Sequence, residues 1–373
     1  MTERKTKVLH LTYDMRIGGT EMVIKNLVEG LDSEQFDVGI LNIQANLGPF
    51  GEMLKLQGVA IYNLNWTGGF DTGLIKQIRR HIQQHRIDIL HCHQYTPWVY
   101  GVLAAAFTNT KVIFTEHGRF YPDVSSWKRK LINPVLMGFT DKVTAISHAT
   151  ARALDEYEFI KQNRIQVIYN GIAGLQRDPD AVAQLKQKYG LSQDNIIFGT
   201  VARLDPIKNQ TMMIRAFNSC LTEHPQIRLF IVGDGDERET LESLVNQLNL
   251  TDKVFFTGYE PKPANYIAMM DGFLLSSLSE GTSMTLLEAM SLAKPCIVTD
   301  AGGNKEVVEH LKTGWVTQNN DERSFAMGIR AFLNQTEQQA KDMAMNIKER
   351  FENTFEQQVM IRDFVQLYTS LKR

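Results

Sequence analysis

Short apolar runs alternate with longer amphipathic stretches along the chain. The runs end in Gly, Asp or His and predict buried strands, and the stretches between them predict helices. In the first half we expect strands at Val8–Leu11, Val38–Ile43, Ile87–Leu90, Val112–Thr115 and Lys142–Ala145. The helix predicted at Glu21–Leu31 carries one apolar stripe, formed by Met22, Val23, Leu27, Val28 and Leu31. This alternation is typical of βα units that build a parallel sheet.

A second series of the same kind follows Val167–Gly171. Its strands are predicted at Ile196–Val201, Arg228–Val232, Lys253–Phe256, Gly272–Leu275 and Cys296–Thr299. The fold class is therefore α/β, with two Rossmann-like, doubly wound parallel sheets in tandem. Such sheets bind ligands beyond the carboxyl ends of their strands, so we expect the site in loops that face an interdomain cleft.

The chain of 373 residues is longer than a single hydrophobic core usually supports. We predict a domain over residues 1–170, a second over 171–350, and a helix over 351–373 that packs back toward the first domain. The apolar positions of that helix have helical spacing: Phe355, Val359, Ile361, Phe364, Leu367 and Tyr368.

Composition excludes several classes of protein. With 40 basic and 42 acidic residues, the net charge of −2 argues against a dedicated nucleic-acid binder. Cys92, Cys220 and Cys296 lie too far apart for a zinc motif or a disulfide framework. The polar N-terminus is unlike a secretion signal, and Val99–Phe107 is about half of the ~20 residues that a membrane helix needs. We expect a cytoplasmic protein whose membrane contact, where it exists, is peripheral.

Two loops have the residue types that bind phosphates. Gly18 and Gly19 stand directly before the first helix, where free backbone amides favour an anion; a tight βα turn explains them equally well. Arg203 and Lys208 lie together on the loop after Ile196–Val201, where two cations can neutralise a diphosphate. The alternative for this pair is a solvated, charged loop.

The segment Ser279–Met290 is the most informative part of the sequence. Glu280 follows a strand, the backbone amides from Gly281 onward can bind oxygens, and a helix starts near Ser283 with its positive end toward the same place. Glu288 lies one turn into that helix, where its carboxylate can accept two ribose hydroxyls. An acidic residue that merely favours the helix dipole is the alternative.

These motifs together resemble the retaining GT-B glycosyltransferases of the large group-one, or family-four, bacterial sugar transferases. The resemblance lies in Glu280 and Glu288 with seven residues between them, the Leu-Leu-Glu-Ala-Met ending, Arg203 with Lys208, and Gly18-Gly19. Val167–Gly171 also falls in the expected place, so the resemblance spans nearly the whole chain. Thr282-Ser283 departs from the family, in which many members have an aromatic residue followed by an apolar or small one.

The resemblance implies roles for individual residues. Glu280 and His117 would contact the transferred sugar, Glu288 the ribose, and Arg203 with Lys208 the diphosphate. Gly18 and Gly19 would bring the backbone of the first domain to the phosphates or the acceptor. The remaining substrate-binding candidates follow strands or line the glutamate motif: His93, Gly233, Tyr259, Gly281, Thr282, Ser283, Met284, Thr285 and Leu286.

The implied activity is transfer of a sugar from a nucleoside-diphosphate sugar, with UDP favoured, to a glycan or lipid-linked acceptor. Configuration would be retained, and neither a metal nor a cofactor is expected. This activity belongs to cell-surface polysaccharide or glycoconjugate synthesis. Two alternatives share the architecture: a nucleotide-sugar epimerase, and a non-catalytic donor-binding partner in a polysaccharide assembly complex.

Three further features invite other interpretations. Asp234-Gly235-Asp236 resembles a metal-binding carboxylate pair, but a turn at Gly233 inside the second sheet is the better interpretation. His91 and His93 share one face of a strand without further zinc ligands, which leaves His93 to line the cleft. The segment from Phe120 to Leu131 mixes aromatic and basic residues and fits either an anionic membrane surface or a solvated basic face.

Overall fold

The computed structural model describes residues 4–118 and 125–372. The chain divides into two compact units, each built on one parallel sheet. The first unit comprises Met1–Gly171 together with Gln357–Arg373, and the second comprises Ile172–Glu356.

The first unit contains a seven-stranded sheet in which every strand pair is parallel. Its strands are β1 (Thr6–Thr12), β2 (Phe36–Asn42), β3 (Ala60–Asn63), β4 (Ile89–His93), β5 (Lys111–Glu116), β6 (Lys142–Ala145) and β7 (Ile165–Val167). Their order across the sheet is β3-β2-β1-β4-β5-β6-β7. The order therefore reverses between β1 and β4.

Helices follow these strands in the first unit. They are α1 (Gly19–Gly30), α2 (Gly48–Leu56), α3 (Thr72–His85), α4 (Tyr95–Ala105), α5 (Trp127–Met137) and α6 (His148–Glu158). The apolar stripe predicted for the first helix is partly buried: Val23 and Leu27 lie in the core at 1% and 0% exposure. Burial of such stripes against a sheet supplies most of the stability of helices this short.

The second unit contains a six-stranded parallel sheet, with the strand order β10-β9-β8-β11-β12-β13. Its strands are β8 (Ile196–Val201), β9 (Ile227–Val232), β10 (Val254–Gly258), β11 (Gly272–Leu275), β12 (Cys296–Thr299) and β13 (Gly314–Thr317). Its helices are α7 (Pro179–Lys188), α8 (Gln210–Cys220), α9 (Arg238–Gln247), α10 (Ala264–Met269), α11 (Met284–Ser291), α12 (Asn304–Val307), α13 (Glu322–Leu333) and α14 (Glu337–Arg350). The order reverses between β8 and β11.

The predicted strands are all present, and β3, β7 and β13 are additional. β3 lies at an edge of its sheet. Of its four residues, only Ile61 is partly buried and the other three are exposed, so no apolar run indicates this strand in the sequence. β7 has three residues and β13 has four, too few for a periodicity to stand out. β4 ends at His93, which agrees with the prediction that His91 and His93 lie on a strand.

The C-terminal helix begins later than the sequence pattern indicates. Phe351–Phe355 forms a π-helical turn that continues α14 and buries both phenylalanines. The last helix, α15 (Gln357–Ser370), belongs to the first unit and packs on α1. A side chain at Gly30 would collide with Ile361, so this glycine permits the close approach of the two helices.

Candidate active site

Two loops of the second unit leave the sheet side by side at the point where its strand order reverses. Lys208 follows β8 and Glu280 follows β11, and these strands are hydrogen-bonded neighbours. Lys208 Nζ lies 2.6 Å from Glu280 Oε1, and Ser277 Oγ donates to the same oxygen at 2.6 Å. This reversal point is where doubly wound sheets bind their ligands. The tertiary structure thus brings together Lys208 and Glu280, which two separate sequence motifs had identified as candidate site residues.

Backbone and hydroxyl groups fasten the two loops to each other. The amide of Leu278 donates to the carbonyl of Ile207 at 2.8 Å. Ser276 Oγ donates to the carbonyls of Lys208 and Asn209 at 2.8 and 3.0 Å. Ser276 and Ser277 are both fully buried. The Lys208–Glu280 pair is therefore held by a scaffold that leaves little freedom to its backbone.

Arg203 pairs with a different carboxylate. Its guanidinium binds Asp205 Oδ2 at 2.6 Å, and its side chain is 75% exposed. Asp205 also accepts a bond from the amide of Ile207 at 3.1 Å, which starts the 3-10 turn Pro206–Lys208. Arg203 and Lys208 share the loop between β8 and α8, as predicted, but each cation has a different carboxylate partner.

The start of α11 is built as the glutamate motif predicts. Ser283 is the N-cap, and its hydroxyl accepts a bond from the amide of Leu286 at 3.4 Å. Behind the loop, Gly302 has φ +55°, and a Cβ there would collide with the carbonyl oxygen of Glu280. The amide of Gly303 donates to that oxygen at 3.2 Å. Glycine at 302 therefore fixes how the Glu280 backbone is seated.

Glu288 has an oxygen without a partner. Its Oε2 is buried and makes no hydrogen bond with any residue in 4–118 or 125–372. Burial raises the pKa of this carboxyl group to about 7. A residue that only favours the helix dipole needs no burial, so that alternative leaves the orphaned oxygen unexplained. An unsatisfied buried acceptor of this kind is ready to bind a hydroxyl group from a ligand.

The other candidates of the second unit divide by accessibility. Gly281, Met284 and Thr285 are half-buried, and Thr282 and Ser283 are 9% and 8% exposed. Leu286 is completely buried, and its amide is used by Ser283, so its side chain belongs to the core rather than to a ligand. Tyr259, directly after β10, is 61% exposed.

Gly233 and the aspartates after it form a turn. Gly233 has φ +136°, and a Cβ there would collide with the carbonyl oxygen of Ala202, so the loops after β8 and β9 meet at this glycine. Asp234 Oδ1 accepts a bond from the amide of Gly235 at 2.9 Å. Nothing in this arrangement gathers the several oxygen ligands that a divalent cation needs.

In the first unit, the reversal point lies between β1 and β4. Gly18 is the N-cap of α1, with extended backbone, and Gly19 is the first helical residue. The carboxyl group of Glu21 folds back onto this turn, since a Cβ at Gly18 would collide with Glu21 Oε2. Burial raises the pKa of Glu21 to about 7. The helix start is therefore next to a carboxyl group of its own chain.

His93 and His117 are directly bonded to each other. His93 Nδ1 lies 2.8 Å from His117 Nε2, and His93 Nε2 lies 2.9 Å from Nδ1 of His10. His93 has no exposed surface, whereas His117 is half-buried. The expectation that His93 lines the cleft is therefore wrong. The His93 ring lies in the core, and both of its nitrogens are hydrogen-bonded, one of them to His117.

One cluster has the composition of a metal site. Within the described ranges, 4–118 and 125–372, the only group of three or more close metal-ligating side chains is His10, His91 and His93. Five of its six ring nitrogens are already hydrogen-bonded, because His91 also binds Tyr368 Oη at 2.7 Å and Thr115 Oγ1 at 2.6 Å. A metal ion would have to displace these partners.

The sequence patterns missed three residues near the first reversal point: His10, Glu21 and Gln94. Gln94 caps α4 with φ +72°, its amide donates to the carbonyl of Thr115 at 2.9 Å, and its side chain donates to Thr20 Oγ1 at 3.2 Å. Such strain in a non-glycine residue concentrates at functional sites. The available signal for His10 was a histidine inside an apolar strand, paired in register with His91.

No helix within residues 4–118 and 125–372 combines the length and apolar character needed to cross a bilayer.

Comparison with known proteins identifies the family of this chain. Residues 17–173 match the Glycosyltransferase Family 4 model, and residues 182–350 match the Glycosyl transferases group 1 model. An N-acetyl-alpha-D-glucosaminyl L-malate synthase of Bacillus anthracis is 30% identical over 310 residues, which are 82% of this chain and 80% of the relative. A UDP-Gal:alpha-D-GlcNAc-diphosphoundecaprenol alpha-1,3-galactosyltransferase of Escherichia coli is 26% identical over 372 residues, covering 95% and 94% of the two chains.

Solved structures share the fold. The Anabaena protein Alr3699/HepE in complex with UDP superposes with a TM-score of 0.86 at 22% identity, covering 98% of this chain and 100% of that one. A glycosyltransferase from Rickettsia africae gives a TM-score of 0.85 at 20% identity, with 98% of both chains covered. The chain therefore belongs to the group 1 glycosyltransferases and has their GT-B fold of two parallel-sheet α/β units.

Proposed function

We propose that this glycosyltransferase takes its sugar from a UDP-sugar and transfers it, with retention of configuration and without a metal ion, to a glycan or lipid-linked acceptor. The observation that carries the proposal is the position of Lys208, Glu280 and Glu288 around the start of α11. A cation, a carboxylate and an unsatisfied buried acceptor there match the three parts of a nucleotide sugar: diphosphate, sugar and ribose.

Each group has a distinct task in this proposal. Lys208 leaves its carboxylate partner or shares it, and offsets charge on the departing diphosphate; Arg203, exposed and paired with Asp205, swings to the same phosphates. The positive end of α11 adds a fixed dipole. Glu280 binds hydroxyl groups of the sugar, and Glu288 accepts those of the ribose through its free Oε2. His117 keeps the role implied by the resemblance, a hydrogen bond to the transferred sugar.

Two findings about other proteins support a UDP-sugar donor. The Escherichia coli relative is described as using UDP-Gal, and the Anabaena structure neighbour was crystallised with UDP and with UDP-glucose. Retention is proposed by resemblance, with front-face attack by the acceptor, since no side chain in the motifs is identified as a covalent nucleophile. Absence of a metal is proposed because Lys208 and Arg203 supply positive charge where an ion would act.

The donor is tested by a thermal-shift screen over UDP- and GDP-sugars, because a ligand that binds the native state stabilises it by mass action. We expect UDP-sugars to raise the melting temperature more than GDP-sugars. Incubation of the best donor without acceptor then separates the proposal from its alternatives. Slow hydrolysis supports the transferase, an epimerised donor identifies an epimerase, and an unchanged donor that stays inert with every acceptor supports a binding partner.

A lipid-linked acceptor would be reached at an anionic bilayer surface, and we propose that α5 touches that surface. Its outward side is apolar: Trp127, Leu131 and Val135 are 71%, 63% and 63% exposed. The inward side is held by polar bonds, since Asn133 Nδ2 donates to the carbonyl of Glu158 at 2.8 Å and its Oδ1 accepts from Tyr95 Oη. A helix that presents its apolar stripe outward is typical of interfacial helices.

Basic residues accompany this stripe. Lys128 and Lys130 are exposed on α5, and Phe107 and Phe139 extend the apolar surface through a ring contact of 5.3 Å. Phe120 and Tyr121, also part of the predicted surface, lie outside the described residues. Sedimentation with vesicles rich in phosphatidylglycerol, but not with pure phosphatidylcholine, is the expected result.

Replacement of both Trp127 and Leu131 by Ser should abolish sedimentation. Leu56→Ser is the matched control, because Leu56 is 91% exposed on α2, outside the α5 surface. Equal loss in both variants, or sedimentation that ignores the lipid charge, would reject the membrane role of α5.

A further inference from the structure

Three histidines of the first unit form a continuous hydrogen-bonded chain. His10 lies on β1, His93 at the end of β4, and His117 directly after β5. The Nδ1 of His10 lies 2.9 Å from Nε2 of His93, and the Nδ1 of His93 lies 2.8 Å from Nε2 of His117. The two terminal nitrogens, His10 Nε2 and His117 Nδ1, make no hydrogen bond to the part of the protein that the structure describes.

All three rings are neutral at physiological pH. Burial lowers the pKa of His10 to about 3, and burial, with a smaller effect of the neighbouring His10, lowers the pKa of His117 to about 3. Burial also holds the pKa of His93 well below its ordinary value, with further lowering from His91, His117 and His10. A neutral imidazole carries one N–H and one bare nitrogen. Three protons are therefore distributed over the six ring nitrogens of the chain.

Only two arrangements of these protons satisfy both hydrogen bonds. Each bond needs one proton between its two nitrogens, and His93 has a single proton to give. Either all three rings carry the proton on Nδ1, or all three carry it on Nε2. In the first arrangement His117 presents an Nδ1–H donor and His10 Nε2 is bare. In the second arrangement His117 presents a bare acceptor and His10 carries an N–H that has no partner.

The position of the two end residues favours one of the two arrangements. An unpaired N–H in a protein interior is rarer and more costly than an unpaired acceptor. Both terminal nitrogens are buried, but the residues that carry them differ: His10 has no exposed surface, whereas His117 is half-buried, so only the His117 end of the chain borders a surface from which a substrate can accept a hydrogen bond. The N–H without a protein partner is therefore better placed on His117. This favours the arrangement with the proton on Nδ1 throughout.

Conversion to the other arrangement is blocked at the His10 end. It requires a proton to leave His117 Nδ1, one proton to move along each bond, and another proton to arrive at His10 Nε2. Because His10 Nε2 is buried and has no hydrogen-bonded neighbour among the described residues, none of them delivers that proton. The chain is thus unsuited to relay protons and suited to hold one tautomer.

We propose that His10 and His93 are positioning residues that lock His117 as an Nδ1–H hydrogen-bond donor toward the substrate. The identity of that substrate rests on the proposed function, in which His117 binds a hydroxyl or ring oxygen of the transferred sugar. The lock itself is a property of the ligand-free protein. His117 then acts by donating a hydrogen bond, and it does not act as a general base.

The experiment is two-dimensional NMR of ligand-free protein with 15N-labelled histidine, in which long-range couplings distinguish protonated from bare ring nitrogens. The nine histidines are assigned by single substitutions. We expect His10, His93 and His117 all to carry the proton on Nδ1 at pH 7. Protonation of different nitrogens within the chain, or of Nε2 throughout, would overturn the proposal. So would displacement of the His10 and His93 signals by stoichiometric zinc, which would identify a metal site.

Two variants test the coupling. His93→Phe removes the partner of His117 Nε2, and we expect His117 to lose its single tautomer and give averaged signals. Tyr368→Phe is the matched control: it removes the hydroxyl bonded to His91, which lies beside the chain but outside it, and should leave His117 protonated on Nδ1. A wild-type pattern in His93→Phe contradicts the lock. If a variant fails to fold, the tautomers seen in the wild-type spectrum still test the proposal. Because the spectrum is recorded without substrate, the tautomer result does not depend on whether the protein shows transferase activity.

Discussion

Lys208 Nζ lies 2.6 Å from Glu280 Oε1 although 72 positions separate the two residues in the chain. Their side chains are 22% and 9% exposed, so the pair is shielded from most of the screening that weakens surface ion pairs. In the proposed function the two residues bind different parts of the donor. In that proposal, the cation that binds phosphate is paired with the carboxylate that binds the sugar.

Substitution of Lys208 and substitution of Glu280 should have opposite effects on UDP affinity. Lys208→Met should weaken UDP binding by about 1.5–3 kcal/mol, because it removes a charge-assisted hydrogen bond to phosphate. Glu280→Gln removes the carboxylate that competes for Lys208, so UDP should bind at least as tightly as to wild type while turnover of the UDP-sugar falls. Calorimetry with UDP and a steady-state assay separate the two effects. A Glu280→Gln protein that loses UDP affinity would show that Glu280 binds the nucleotide and not the sugar, which would reverse the proposed orientation of the donor.

The orphaned carboxyl group of Glu288 predicts a pH dependence of nucleotide binding. Because its pKa is raised to about 7, Glu288 is mostly protonated at pH 6 and mostly charged at pH 8. The charged form is the better acceptor for two ribose hydroxyls, so UDP affinity should rise with pH across this window by up to about tenfold. The phosphate of UDP ionises near pH 6 and acts in the same direction.

Glu288→Gln supplies the control for that phosphate contribution. Its glutamine does not titrate, so its affinity should change with pH only as the ligand does, and the ratio of wild-type to variant affinity should increase from pH 6 to pH 8. At pH 8 the variant should bind UDP more weakly by roughly 1–2 kcal/mol. Parallel pH curves for the two proteins would remove Glu288 from the ribose site.

Activity should not depend on a divalent cation. In the proposed function, Lys208 and Arg203 supply the charge that a metal otherwise provides to a departing diphosphate, so chelator should leave the initial rate within about twofold. A rate that vanishes with chelator and returns with manganese or magnesium would contradict this prediction. It would also make Asp234 and Asp236 the first residues to replace.

Replacement of Gly302 by alanine should destabilise the protein more than the same replacement of Gly190, a glycine of similar conformation in the same unit. Gly190 has φ +62°, and a Cβ added there would meet no described atom within 4 Å, so Gly190→Ala should cost only the left-handed strain, about 1–2 kcal/mol. Gly302→Ala adds a collision with the Glu280 carbonyl and should cost roughly 2–5 kcal/mol in the free energy of unfolding. Urea unfolding measures both costs.

The remaining activity of the folded Gly302→Ala protein tests the link to Glu280. Displacement of the Glu280 backbone should lower turnover more than tenfold under conditions where both variants stay folded, since a small misplacement of a positioning group is costly in catalysis. Equal turnover in the two alanine variants would show that the backbone position of Glu280 does not depend on Gly302.

Local pattern was sufficient for most of the elements and for choosing the candidate site residues. Apolar runs of parallel strands and the 3.6-residue stripes of helices repeat along the chain, so the tandem α/β architecture could be predicted from the sequence. The same patterns placed Glu280 after a strand and Glu288 one turn into the helix that starts near Ser283, and both positions agree with the structure. Edge strands such as β3 escaped, since an exposed edge lacks an apolar run.

Only the tertiary structure decided which side chains meet. Strand order is not encoded in any local pattern, yet it makes β8 and β11 neighbours and so joins Lys208 to Glu280 rather than to Arg203. The same holds for β1, β4 and β5, whose adjacency links His10, His93 and His117 into one chain. Burial also depends on the tertiary structure: desolvation keeps His10 and His117 neutral, and Glu288 Oε2 is buried without a hydrogen-bond partner among the described residues.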